Sequence, residues 1–110
     1  MRTIIEKGTT YQVGTSAEEN WRIILAAEKD HYWVHLEGQP SAHVIIEIDK
    51  PTDDELRYAG ELCKQQTFKT VKQLAAPARC VSTVVHNIKL GSKAGEVYFK
   101  SEKERKLFVA

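Results

Sequence analysis

A chain of 110 residues, 42% apolar and 28% charged, fits one compact domain over residues 1–110 with length enough for a core that needs no disulfide or metal staple. The composition is that of a folded globular chain, and no apolar run approaches the roughly 18 residues of a membrane span. A net charge of +1 argues against polyanion binding by bulk charge, so a nucleic-acid partner would have to meet a local basic patch.

The opening "MRTIIEKGTT" has two consecutive large apolar residues, Ile4 and Ile5, and is not of the secretory-signal type. Cys63 and Cys80 form no Cys-x-x-Cys pair and are expected as reduced, buried thiols. Both features predict a cytoplasmic protein with no membrane association.

The elements follow in close succession. "TIIEK" and "TYQV" flank Gly8 and read as two short strands or a hairpin. Ser16 with Glu19 is a capping-box pattern. Behind it Ala17, Trp21, Ile24, Leu25 and Glu28 fall on one helical stripe, predicting a helix over about residues 17–29. "YWVHLE" and "AHVIIEI", separated by the turn-forming "GQPS", predict adjacent antiparallel strands. Thr52 and Glu55 cap a second helix with a buried stripe of Leu56, Ala59, Gly60 and Cys63, where Gly60 lets another element come close. "TFKTVKQLAAPARC" holds a short third helix ending before Pro77. "CVSTVVHNIKL" reads as one strand, "GSKAG" as a turn, "EVYFK" as a strand, "SEKER" as a charged turn and "KLFVA" as a final strand. Strands in adjacent runs predict an α+β domain: a mostly antiparallel sheet of about six strands with two or three helices packed on one face.

Strand alternation assigns faces. Tyr32, Val34 and Leu36, with Ala42, Val44, Ile46 and Ile48, form the apolar face for the helices. Trp33, His35 and His43 then share the opposite, polar face. An even hairpin register sets His35 across from His43 and Trp33 across from Ile45, with Cβ atoms about 5 Å apart. Ser41 lies near the loop. Three chemistries compete for this cluster. As a metal site it lacks a forced third ligand, since His31 and His35 are about 13 Å apart on a strand. As a nucleophilic site it lacks an elbow and oxyanion hole for Ser41. As a binding surface its rings offer stacking and hydrogen bonds to nucleobases and phosphate. Neighbouring imidazoles also suit acid–base work near neutrality. No cofactor, no metal and no catalytic residue is expected.

The spacing of these residues resembles the NFACT-R domain, also called DUF814, the RNA-binding module of the ribosome-quality-control and fibronectin-binding-protein-like family, which also occurs as small stand-alone proteins. The matching residues are Gly14, Asn20, Trp33 and His35 in "YWVHLEG", and Ser41, His43 and Val44 in "SAHVII". "DELRYAGELC" and the turn Ala94, Gly95, Glu96, Val97 extend the likeness over about residues 8–109. One position departs: the family's Asp stands two residues before the Trp, where this chain has His31. Asp30 is one residue early, so only a bulge would restore it to that face.

The resemblance implies a stand-alone module without catalysis that contacts structured RNA, tRNA or ribosomal RNA, in translation or ribosome quality control. Its RNA-binding residues would be Asn20, Trp33, His35, Ser41 and His43, with Lys89 and Lys93 in "NIKLGSKAGEV" holding phosphate alongside exposed loop amides. Lys64, Lys69 and Lys72 are a second candidate basic stripe. Two other readings remain open. One is an RNA-processing or modifying enzyme that uses His35 and His43 as acid and base. The other is an adaptor that docks a protein on the Trp33 face.

Overall fold

The computed structural model describes residues 1–110. Eight strands and three helices follow in the order β1 (Arg2–Glu6), β2 (Thr9–Val13), α1 (Ala17–Ala26), β3 (Tyr32–Leu36), β4 (Val44–Ile46), α2 (Asp53–Thr67), α3 (Val71–Ala75), β5 (Arg79–Val84), β6 (Ile88–Leu90), β7 (Val97–Phe99) and β8 (Lys106–Val109). Six strands make one sheet in the order β1-β2-β4-β3-β5-β8, antiparallel at every pair, and β6 with β7 forms a separate two-stranded ribbon. The expected α+β class and six-stranded antiparallel sheet are what the chain adopts.

The β1–β2 turn places both Lys7 and Gly8 at positive φ, the backbone of a tight hairpin turn matched to strand twist. Trp33 pairs with Ile45 and Val34 with Val44, the even register expected from alternation. Thr52 and Glu55 form the expected capping box at the start of α2, and Thr70 with Gln73 forms another at α3.

The sheet buries both faces. On one, Leu56, Ala59, Leu62 and Cys63 of α2 pack on Tyr11, Val13, Val34, Leu36, Val44 and Ile46. Gly60 lets the β5–β8 edge come close: a Cβ there would lie 2.7 Å from Ala110 Cβ and 3.0 Å from Cys80 Sγ. Cys63 and Cys80 are buried and unpaired. On the other face Ile23 and Ile24 of α1 meet Trp33, Ile45, Val81, Val85 and Ile88, with Leu90, Val97 and Phe99 of the ribbon closing over them.

Several expectations need correction. The helices do not share one face, because α1 covers the side opposite α2. α1 ends at Ala26 rather than near residue 29. The Lys29 and His31 carbonyls accept instead from the His86 and Val85 amides, which commits this backbone to another element. Its buried stripe is Asn20, Ile23 and Ile24, while Leu25 is 71% exposed. "CVSTVVHNIKL" is two strands broken by a single 3-10 turn over Val85–Asn87. The buried Asn87 holds that break: its amide donates to Thr83 Oγ1 and the Ser101 carbonyl, and its Oδ1 accepts from the Ser101 N–H. Lys64 belongs to no surface stripe. It is buried, and its Nζ donates to the Ala76 and Ala110 carbonyls at 2.9 and 3.1 Å, stapling α2 to the end of α3 and to the residue that follows β8.

Candidate functional site

β3 and β4 bring Trp33, His35 and His43 together on one face, as alternation demands. The ring centroids of His35 and His43 are 4.7 Å apart at 88°, and Trp33 lies parallel to His35 at 5.4 Å. The indole Nε1–H of Trp33 donates to His43 Nδ1 at 3.1 Å. That bond assigns the proton of neutral His43 to Nε2.

This face is not the open one expected. Trp33 is 1% exposed and His43 is 3% exposed, while His35 is half-buried. The cover is the β6–β7 ribbon, whose Phe99 ring meets Trp33 edge-on at 5.6 Å and carries the Arg105 guanidinium 5.4 Å above its own centroid. A base therefore cannot stack on Trp33 without lifting the ribbon. Burial, with His35 as neighbour, pushes His43 down to about 3, and burial lowers His35 as well. Both shifts disfavour the protonated imidazole, which weighs against this pair as an acid near neutrality.

Asn20 and Ser41 turn out to be fasteners of the same region. Asn20 Oδ1 accepts from the His43 backbone N–H at 3.1 Å, and the Gly14 N–H donates to the His43 carbonyl at 3.0 Å. A Cβ on Gly14 would overlap Asn20 Oδ1, so the glycine is required by close approach. Ser41 Oγ accepts from the Leu36 N–H at 3.0 Å and donates to the Ala42 carbonyl at 2.8 Å, closing the β3–β4 loop. A recess of about 320 Å³ opens beside them, with Ser16, Asn20, Ser41, Gln66 and Thr67 in its wall and no charged side chain. Asp30 is exposed in the turn before β3, and the strand register is regular, so no bulge restores the acidic position.

Lys89 and Lys93 are both exposed, and neither enters an ion pair. The loop amides expected to hold phosphate beside them are partly taken. Glu96 Oε1 accepts from the Ser92 N–H at 3.0 Å, from Ser92 Oγ at 3.4 Å and from the Tyr98 hydroxyl at 3.2 Å. A Cβ on Gly91 would overlap that carboxylate, which explains the glycine. The loop is anchored to α1 through the Trp21 indole N–H, which donates to the Glu96 carbonyl at 2.8 Å.

Sequence reasoning missed Tyr98. Ile88 pairs with Phe99, and Leu90 with Val97, on the inner side of the ribbon, so Lys89 and Tyr98, paired directly with each other, face outward. Alternation puts Lys100 on the same side. Tyr98 is 55% exposed. The available signal was the alternation of "EVYFK" around an inward Phe99.

No protein-family model matches the chain, and no curated protein matches it. Among solved structures, the C-terminal part of the fibronectin/fibrinogen-binding protein from Streptococcus suis is similar, with a TM-score of 0.79 at 21% identity. The match covers 98% of this chain and 43% of that one, so the chain spans less than half of its neighbour's length. This chain therefore shares the fold of a part of that C-terminal structure.

Proposed function

We propose that the chain is a non-catalytic RNA-binding module whose contact surface is the outer side of the β6–β7 ribbon. The observation that carries this reading is Tyr98, an exposed ring set among Lys89 and Lys100, with Lys93 at the loop between the strands. An aromatic platform flanked by ammonium groups is what single-stranded or looped nucleic acid uses, stacking for the base and charge for the backbone. Trp33, His35 and His43 act from beneath, as the packed support that sets the ribbon's position. The NFACT-R resemblance in "WVH…SAHV" supports RNA as the polyanion, and tRNA or ribosomal RNA as its class. A cytoplasmic role in translation or ribosome quality control follows from the same reading. No helix is long and apolar enough to cross a membrane.

The test is fluorescence anisotropy with labelled tRNA and ribosomal RNA stem-loops over a salt series. Tyr98→Ala should weaken binding by about 1–3 kcal/mol, and Lys89→Ala should lower the salt slope by about 0.7–0.9. Absence of RNA retention at low salt, or equal affinity in both variants, would remove the proposal.

The name of the structural neighbour suggests a second reading, an adaptor that docks a protein. It is favoured by β8, an edge strand whose Leu107 and Val109 are exposed and which offers an unpaired backbone ladder to an incoming strand. Salt-insensitive association with a protein, lost in Leu107→Lys, would support it over RNA.

A further inference from the structure

Remote from the ribbon, a hollow of about 730 Å³ lies between the β1–β2 turn and the first half of α2. Four carboxylates line it, Glu6, Asp54, Glu55 and Glu61, against two cations, Lys7 and Arg57. In a chain of net charge +1 this is a local reversal of sign. Asp54 is paired with Arg57 at 3.1 Å, and Glu61 lies 3.5 Å from Lys64. Glu6 enters no ion pair. Glu55 is held only by neutral donors, Thr9 Oγ1 at 2.5 Å and the Thr52 N–H at 2.8 Å. Glu6 and Glu55 are thus outside any ion pair, and with Lys7 likewise unpaired in the same lining the hollow keeps a surplus of one negative charge.

Two tyrosines give the hollow its apolar wall. Tyr11 and Tyr58 meet edge-on, with centroids 5.0 Å apart at 64°. Tyr11 is 2% exposed yet lines the hollow, and its hydroxyl makes no hydrogen bond within the protein and is not sealed from solvent. A phenol this deeply buried, ending in an open hollow without a partner, leaves an acceptor for a ligand donor. The field it feels is negative. Burial, then Glu55, Tyr58 and Glu6, push the Tyr11 phenol up to about 12, and burial and Glu6 raise Tyr58.

The geometry points to a binding site for an alkylammonium cation, with Glu6 and Glu55 supplying charge, Tyr58 a ring wall and Tyr11 a hydroxyl acceptor. One source of that group is a lysine side chain on a basic polypeptide segment. A free polyamine carries the same group. A metal ion is a poor match, because the one set of His, Cys, Asp or Glu side chains with ligand atoms within 4.8 Å of one another is Glu28, Asp30 and His31, outside this hollow. An aliphatic ammonium instead bridges spread carboxylates and gains from an aromatic wall.

The experiment follows the Tyr11 and Tyr58 ring resonances by NMR during titration with pentalysine, with spermidine and with fully acetylated pentalysine at low salt. Pentalysine should shift both rings saturably, and the acetylated peptide should not. Tighter binding of spermidine than of pentalysine would assign the site to free polyamines; the reverse would assign it to a protein segment. Glu6→Gln, a change at an accessible hairpin position, should weaken binding about 2–5-fold, matching a partly exposed ion pair. Tyr58→Phe should leave the ring contribution intact, and Tyr58→Leu should weaken binding a further 2–5-fold. Lys89→Ala should bind the amine as the wild type does, which separates this site from the RNA reading. Rings unmoved by either amine, equal response to the acetylated peptide, or an unchanged affinity in Glu6→Gln would overturn the proposal.

Discussion

Gly14 and Asn20 compete for one volume, and the chain resolves this by giving residue 14 no side chain. Gly14→Ala should destabilise the fold by about 1–3 kcal/mol, because the new Cβ displaces the acceptor of the buried His43 N–H. Asn20→Ala alone leaves that N–H unpaired, at about 1–3 kcal/mol. Combined, the two changes should cost less than their sum, as read from urea midpoints; strict additivity would contradict the shared volume. His43 adds a pH signature. Its folded value of about 3 lies below the usual 6.5, so only the unfolded chain takes up a proton between these values. Stability is then fully present above about pH 6.5 and falls on acidification by about 1.4 kcal/mol per unit, until the folded ring protonates near 3. The lowered His35 adds in the same direction. The window from pH 6.5 to 5 lies above ordinary carboxylate titration. Denaturation midpoints should drop across it in the wild type and flatten in His43→Gln. The common face of residues 33, 35 and 43 was legible from alternation alone. Their burial was not, because α1 and the ribbon that cover them are brought in only by tertiary contact, Phe99 from far along the chain.

At the scale of elements, caps and turns were readable wherever a short local pattern sets them, as at Ser16, Thr52 and the Lys7–Gly8 turn. The orientation of α1 was not. Asn20 sits on its buried stripe because the backbone N–H of His43, just before β4, satisfies it, whereas Leu25 points outward. A polarity pattern cannot reveal a partner on another element. Gly60 is the contrary case, since a glycine inside a capped helix signalled close approach, and the β5–β8 edge is found there. Gly60→Ala should gain about 1 kcal/mol in helix propensity and lose more to the clash with Ala110 and Cys80. A net loss of thermal stability is therefore expected, and a rise in the melting temperature would contradict this packing. Lys64→Met should cost about 1–3 kcal/mol by stranding the Ala76 carbonyl and by leaving the Ala110 carbonyl with the Ala78 N–H alone, a loss measurable by chemical denaturation.

For the whole molecule, a sheet buried on both faces has two cores of unequal size, twelve buried residues against seven. The smaller depends on a ribbon of two three-residue strands, whereas β3 and β5 pair over five residues in register. Local opening should begin where backbone pairing is shortest. Hydrogen exchange should release the β6–β7 amides well before those of β3–β5, and simultaneous exchange would argue for one indivisible core. Class and strand count were visible because antiparallel strands joined by short turns leave local marks. The two-sided cover was not, since β6, β7 and α1 meet only through tertiary contact.

Glu96 makes the ribbon's loop a seat that is already taken. A side-chain anion resting among the Ser92 donors mimics the guest such a loop would otherwise attract. Any phosphate arriving there must first evict it, and the eviction also frees the Tyr98 hydroxyl. Occupancy of the loop and the freedom of that ring are then two ends of one exchange, and neutralising residue 96 would leave the seat vacant for an anion from solution.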